Sequence, residues 1–151
     1  MQLSAIFDEL VRFETELWNA VDARLRSEFD LPLTTFEPMQ VIARVASCRV
    51  NDIAVELSIT VGGTSKLVDR IEAAGHCRRV ANPDDRRSSL LELTQSGRRL
   101  LGKATVVFEA ELQTRIGSAV SAQRLTQFQA TLRQLRSANA RCDENRSAAA
   151  K

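Results

Sequence analysis

Apolar residues recur at three- and four-residue spacing along the first part of the chain: Leu3, Ile6, Phe7, Leu10, Leu17, Val21 and Leu25, with acids over much of the opposite face. That period predicts one long helix over 3–29. Leu31-Pro32 stops it, because a residue before proline is driven out of the helical region. The run "TTFE" then offers a capping box, with Thr34 as N-cap and Glu37 three residues on. Pro38 falls in the first turn on this reading, where a missing N–H costs little. The second helix continues to about Ala46 through Met39, Ile42 and Val45. A short helix at about 50–57 and another from Val61 to Ala74 follow, joined by "SIT". Thr60 is the natural N-cap of the latter and Gly75 the residue just past its end. Ile53, Leu57, Leu67, Val68 and Ile71 supply the faces on which these two helices cross, the helix-turn-helix shape.

The period then changes. "CRRVA" and "SSLLEL" flank "NPDDRR", and Leu91 and Leu93 alternate with Glu92, which predicts a β-hairpin. Thr94 caps a further helix from Gln95 to about Ile116, through Leu100, Leu101, Ala104, Val107, Phe108 and Leu112, and Gly117 breaks it. A last amphipathic helix is expected over about 121–139, carrying Leu125, Phe128, Leu132 and Leu135. The tail "DENRSAAAK" is polar and expected to fray. There is no internal repeat.

Composition narrows the class. A chain of 151 residues, 44% hydrophobic and 26% charged, is that of one ordinary globular domain with a real core. No stretch has the length of an apolar membrane span, and no basic region followed by an apolar run opens the chain, so a cytoplasmic protein with no membrane partner is expected. Cys48, Cys77 and Cys142 are odd in number and widely spaced, which suits free thiols; a redox switch among them is the alternative. His76, the one histidine, cannot anchor a His-rich site, so neither a metal nor any other cofactor is expected.

Net charge is +2, but unevenly laid out. Residues 1–33 hold three arginines against seven acids, a net of −4, and residues 60–99 hold eight lysines and arginines against five acids, a net of +3. A basic middle in a nearly neutral chain points to a local surface for a polyanion, with scattered solvated charge as the alternative. No arrangement for catalysis accompanies it. The chain has no tyrosine, and "VGGTSK" lacks the phosphate-loop spacing. An enzyme is therefore not expected.

"LSITVGGTSKLVDRIEAAG" followed by "DDRRSSLLELTQSGRRLL" resembles the MarR family of bacterial transcriptional regulators over roughly residues 5–138. The most specific parts are Asp85, Arg87, Leu93 and Thr94 around the hairpin, and Leu67, Asp69, Arg70, Ile71 and Glu72 leading into Gly75. The terminal helices match by pattern only. The resemblance implies a mainly α fold with a small β-hairpin wing: one domain over 1–151, with a winged helix-turn-helix lobe at 34–93 and dimerisation helices at 1–33 and 94–140. It also implies a homodimer that binds a pseudopalindromic duplex operator, acts as a repressor and is released by a small molecule. In the family, the arginine matching Arg87 enters the minor groove and the aspartate matching Asp85 helps hold the wing.

The residues suit that chemistry. A recognition helix presents its N-terminal residues to base edges in the major groove, which here makes Thr60, Gly62, Gly63, Thr64, Ser65 and Lys66 candidate contacts. Arg70 joins them, and Lys66 is a natural phosphate partner. Arginines fit the narrow, negative minor groove of A·T-rich DNA, so Arg86 and Arg87 are the wing candidates, with Asp85 ordering the turn. Arg86 and Arg79 suit either phosphate contact or ion pairing to the helix. Gly62-Gly63 either lets backbone approach DNA or marks a loosely wound first turn. Trp18, Phe36, Met39 and Ile42 could line a cleft for a small aromatic or carboxylate effector, or be plain core. The competing functions are a helical protein-interaction module and a DNA binder without a ligand.

Overall fold

The computed structural model describes residues 2–150. Their elements are α1 (Leu3–Phe29), α2 (Leu33–Arg44), α3 (Val50–Leu57), α4 (Val61–Ala73), β1 (Cys77–Ala81), β2 (Ser89–Leu93), α5 (Gln95–Leu112), a π-helical turn (Gln113–Gly117) and α6 (Ala122–Ala149). The fold class is the expected one: mostly helix, with one antiparallel hairpin as wing. Two units divide the chain, the first ending at Glu111 and the second beginning at Leu112. No helix among the described residues is long and apolar enough to cross a membrane.

Helix α2 is the hub of the first unit. It packs against α1, α3, α4 and β2, and Leu33, Phe36, Met39, Val41 and Ile42 are buried along it. Val21 and Leu25 of α1, Ile53 of α3, Val68 and Ile71 of α4, and Leu91 and Leu93 of β2 complete the core. The Phe36 ring lies 4.8 Å, centroid to centroid, from that of Phe108 on α5, within the range of a favourable aromatic pair. Only the C-terminal part of α1 contributes buried residues; Leu3, Ile6, Phe7, Val11 and Phe13 are exposed.

Several boundaries differ from the sequence reading. Thr34 does not cap α2: the helix starts at Leu33, after Pro32, and no side chain of its own N-cap residue is engaged. The first free N–H is taken instead by α1, where the Asp22 carboxylate accepts from Leu33 N at 2.8 Å while also pairing with Arg26 at 2.8 Å. Starting earlier puts Pro38 in the second turn rather than the first, where its ring removes the bond to the Thr34 carbonyl. Pro38 is itself buried. At the other end α2 stops at Arg44, before the expected Ala46, because Val45 turns to extended backbone.

Helix α5 stops at Leu112, and the chain passes through the π-helical turn instead of continuing as α-helix to Ile116. Helix α6 runs to Ala149, ten residues beyond the expected 139, so the "DENRSAAAK" segment is helical through Ala149 rather than frayed. The period of apolar residues fades there, yet the run carries alanines and arginines, good helix formers, and has no glycine or proline.

Asp22 generates a stability prediction. Partial burial works to raise its pKa, but the bond from Leu33 N and the contact with Arg26 outweigh it and hold the carboxyl below the usual aspartate value. A lowered folded pKa means a contribution present above the unfolded value of about 3.9 and lost as pH falls below it. Asp22→Ala should cost about 1 kcal/mol at neutral pH, the usual loss on removing a helix-capping carboxylate. In urea unfolding the gap between wild type and variant should narrow on acidification below about pH 4. A gap of constant size would show that the carboxylate charge is not what holds α2.

Candidate nucleic-acid interface

The turn between α3 and α4 is built from local bonds. Ser58 takes the left-handed conformation at φ 55° and closes α3. Thr60 then caps α4, its Oγ1 accepting from Gly63 N at 3.1 Å. The far end of α4 closes on Gly75 at φ +78°, a conformation that suits glycine. Gly75 N bonds to Glu72 O and His76 N to Ile71 O. The one histidine thus serves here through its backbone. No group of three or more His, Cys, Asp or Glu among the described residues is placed to hold a metal.

β1 and β2 pair in antiparallel register, Cys77 opposite Leu93 and Ala81 opposite Ser89. Leu91 N also donates to Cys48 O at 2.7 Å, which fastens β2 to the link before α3. The hairpin's orientation against α4 is set by Arg79. Its guanidinium bonds to Asp69 at 2.7 Å and Glu72 at 2.9 Å, and its backbone N–H donates to Glu72 Oε2 at 2.9 Å. Partial burial opposes the Arg79 charge, but the bonds to Asp69 and Glu72 outweigh it and raise the pKa. Of the two roles open to Arg79, ion pairing to the helix is the one it fills. Arg78 is also occupied, by the cross-strand partner Glu92 at 2.9 Å.

The wing tip is a pair of side-chain turns stitched through Ser88. Asn82 Oδ1 accepts from Asp84 N at 3.0 Å, and Asp85 Oδ1 accepts from Arg87 N at 2.9 Å. Ser88 accepts from Asn82 Nδ2 at 3.0 Å and donates from its own N–H to Asp85 O at 3.3 Å. Asp85 therefore lies where it orders the turn. Asn82 and Ser88 were not singled out in the sequence, although Asn followed two residues later by a free N–H is the local signal of such a turn. Arg86 and Arg87 project from this tip, exposed, with no side-chain partner among the described residues.

On α4, Gly62, Gly63, Lys66 and Arg70 are exposed and Ser65 is half-buried. Lys66 and Arg70 have no ion pair among the described residues. Thr64 corrects the expectation for this helix. It is fully buried and its hydroxyl donates back to Thr60 O at 2.7 Å, so it faces the core. Thr60 is exposed, but its oxygen is engaged in the cap. Val55, Ile59 and Val61, by contrast, are large apolar residues left exposed around the turn, a feature the sequence reading passed over.

The four effector candidates are placed differently. Phe36 and Met39 have no exposure at all. Ile42 lines a cleft of about 460 Å³ with Val45, Leu91, Leu93 and Arg98, while Trp18 lines a different hollow of about 250 Å³ with Glu14, Thr15 and Asn19.

Comparison with known proteins agrees with this geometry. The MarR family model matches residues 29–88. The curated regulator BilQ of Clostridioides difficile (strain CD3), an HTH-type transcriptional regulator, is 29% identical over 62 residues, 41% of this chain and 42% of its own length. The regulator YwhA of Bacillus subtilis (strain 168) is 32% identical over 60 residues, 40% of this chain and 43% of its own. The matched stretch thus spans less than half the length of these curated relatives. Among solved structures, the MarR family regulator Sco3205 of Streptomyces coelicolor, in complex with DNA, superposes with a TM-score of 0.81 at 19% identity, over 87% of this chain and 84% of its own. CouR of Rhodococcus jostii RHA1, bound to p-coumaroyl-CoA, does so with 0.78 at 23% identity, over 86% and 90%. At these identities the likeness to solved structures is one of fold.

The thiols yield a prediction of their own. Burial first, and Asp52 second, push Cys48 up to about 11. Burial, then Glu72, push Cys77 up to about 11, where Arg79 opposes only in part. Cys142 is exposed. Since thiolate is the reactive form, an aromatic disulfide reagent at about pH 8 should titrate Cys142 at once and the other two only on unfolding. Fast reaction of all three in the native protein would contradict the buried placement of Cys48 and Cys77.

Proposed function

We propose that this chain, a member of the MarR family by its helix-turn-helix and wing, is a dimeric, sequence-specific DNA-binding repressor. The observation that carries the reading is how its cations are allotted. Arg78 and Arg79, at the base of the wing, are consumed by ion pairs. Lys66 and Arg70 on α4 and Arg86 and Arg87 at the tip are exposed and unpaired among the described residues. A solvated hairpin has no need to hold its tip so tightly while leaving both arginines free. On this reading α4 enters a major groove, the wing arginines enter the flanking minor groove, and Lys66 and Arg70 anchor phosphates. The partner is a pseudopalindromic duplex operator, which places the protein in the cytoplasm.

Dimerisation is supported by the apolar residues that the terminal helices leave uncovered, Leu3 and Phe7 on α1 and Phe128 and Leu135 on α6. Monomeric behaviour at micromolar concentration in sedimentation would count against it. Release by a small aromatic or carboxylate effector is the further part of the reading, supported by the fold shared with a ligand-bound regulator. Such a molecule acts only through its different affinity for the DNA-competent and other states. Trp18, the single tryptophan, reports on its own hollow without labelling. A duplex binder that no compound releases would leave the constitutive alternative standing.

Two measurements test the DNA reading. If about six phosphates are neutralised by the two subunits, log affinity should fall with log salt at a slope of about −5. A nearly flat slope would mean that the basic region is not the binding surface. Arg87→Ala should weaken binding most on sites with A·T-rich flanks, by roughly tenfold (about 1–2 kcal/mol), with helix content unchanged. Asp85→Ala should weaken all sites alike, since it loosens the turn rather than removing a contact. Wild-type affinity in Arg87→Ala would return the tip to an ordinary turn.

A further inference from the structure

The front of α4 holds few polar groups free to read a base. The Thr64 hydroxyl is buried and donates to Thr60 O, and Thr60 Oγ1 accepts from Gly63 N, which leaves the Thr60 O–H and the half-buried Ser65 as the hydroxyl donors there. Gly62 and Gly63 have no side chain. What projects is apolar: Val61 is 52% exposed, with Ile59 at the turn 40% and Val55 at the end of α3 67% exposed. Three β-branched apolar residues are thus exposed within seven positions, and Lys66 and Arg70 on α4 are exposed with no ion pair among the described residues.

The two glycines separate on inspection. A Cβ at Gly63 would lie 3.0 Å from Thr60 Oγ1, so the cap accounts for that glycine. A Cβ at Gly62 would meet nothing within 4 Å. The chain's own packing makes no demand for glycine there, although glycine within a helix costs up to about 1 kcal/mol relative to alanine. Position 62 is thus open to its surroundings, and its bare backbone leaves room for close approach from outside the chain.

We propose that Val61, brought close by the bare backbone at Gly62, reads thymine through its 5-methyl group in the major groove. Base choice at this position is then made by apolar contact. The proposal rests on the DNA-binding reading above. Among the four bases only thymine presents a methyl group in the major groove, and residues at the start of a recognition helix lie nearest the base edges. Valine is short, so contact at about 3.5–4.0 Å requires the helix axis to approach closely, and a side chain at position 62 would hold it off. Lys66 and Arg70, further along α4, supply the phosphate contacts that fix the register.

The test begins with the full chain enriching duplexes from a random pool. The enriched duplex is remade with each thymine replaced in turn by deoxyuridine, which keeps the pairing and removes only the methyl. Replacement at one thymine of each half-site should weaken binding by about fourfold, the worth of one buried methyl group. Val61→Ala, which removes the contact in both subunits, should lose about fifteenfold on the thymine duplex and become indifferent to uracil at that same position, the non-additivity expected of a direct contact. Gly62→Ala should melt at or above the wild-type temperature yet bind the duplex more weakly, separating a role toward DNA from a role in folding. Affinity within about twofold at every deoxyuridine position would overturn the proposal, since it is less than a buried methyl contributes. A Val61→Ala protein that keeps the full thymine-to-uracil difference would also overturn it. Enrichment of no sequence would instead remove the DNA reading, and the proposal with it, a result distinct from indifference to the methyl.

Discussion

The geometry of α4 and the hairpin hangs on one threonine hydroxyl. Thr94 Oγ1 donates to Gly75 O at 2.6 Å and accepts from Gly97 N at 3.0 Å, while Thr94 N donates to His76 O at 3.0 Å. The end of α4, the start of β1, the end of β2 and the start of α5 are thus joined within a few ångströms. A Cβ at Gly97 would overlap the His76 carbonyl, so the approach is as close as backbone allows. Gly75, at φ +78°, makes the reversal that brings the chain there. Helix α4 and the hairpin leave this knot in fixed directions. Everything they present to a partner inherits its precision.

Charge is distributed by the same logic. Near the knot, arginines are spent on the fold: Arg79 on Asp69 and Glu72, Arg78 on Glu92 across the hairpin. A cross-strand pair of this kind contributes about 0.2–1 kcal/mol, enough to favour one register but not to build the hairpin alone. Further out the acids serve backbone N–H groups instead, as Asp85 does for Arg87, and the guanidiniums beside them stay open. An acidic residue at the tip therefore does not cancel the neighbouring arginines; it shapes the turn from which they project.

What was legible in the sequence was whatever is decided by neighbours in the chain. Helices α1, α3 and α4, the hairpin and the caps at Thr60, Gly75 and Thr94 all follow from periods and turn residues a few positions apart. The start of α2 was not, because its donor is satisfied by Asp22, eleven residues upstream on another helix. Thr64 was misread because a hydroxyl on an N-terminal turn can bond back to the preceding turn as easily as it can face outward. The extent of α6 was underread because amphipathic period, not propensity, set the expected end. Arg79 was legible as a choice of two roles, and only the placement of Asp69 and Glu72 decided between them.

The bond from Arg79 N to Glu72 has a consequence of another kind. A two-stranded sheet with β2 fastened on its far side to Cys48 leaves β1 as an edge. Edges with unpaired N–H and C=O groups invite strands from other chains, and proteins blunt them with charge or cover. Here the N–H at the middle of β1 is already occupied by a carboxylate from α4, and the strand carries Arg78 and Arg79 side by side. A second copy approaching this edge would have to break an ion-paired bond and set arginine against arginine. Such an arrangement disfavours edge-to-edge pairing of β1 with a second copy of the chain.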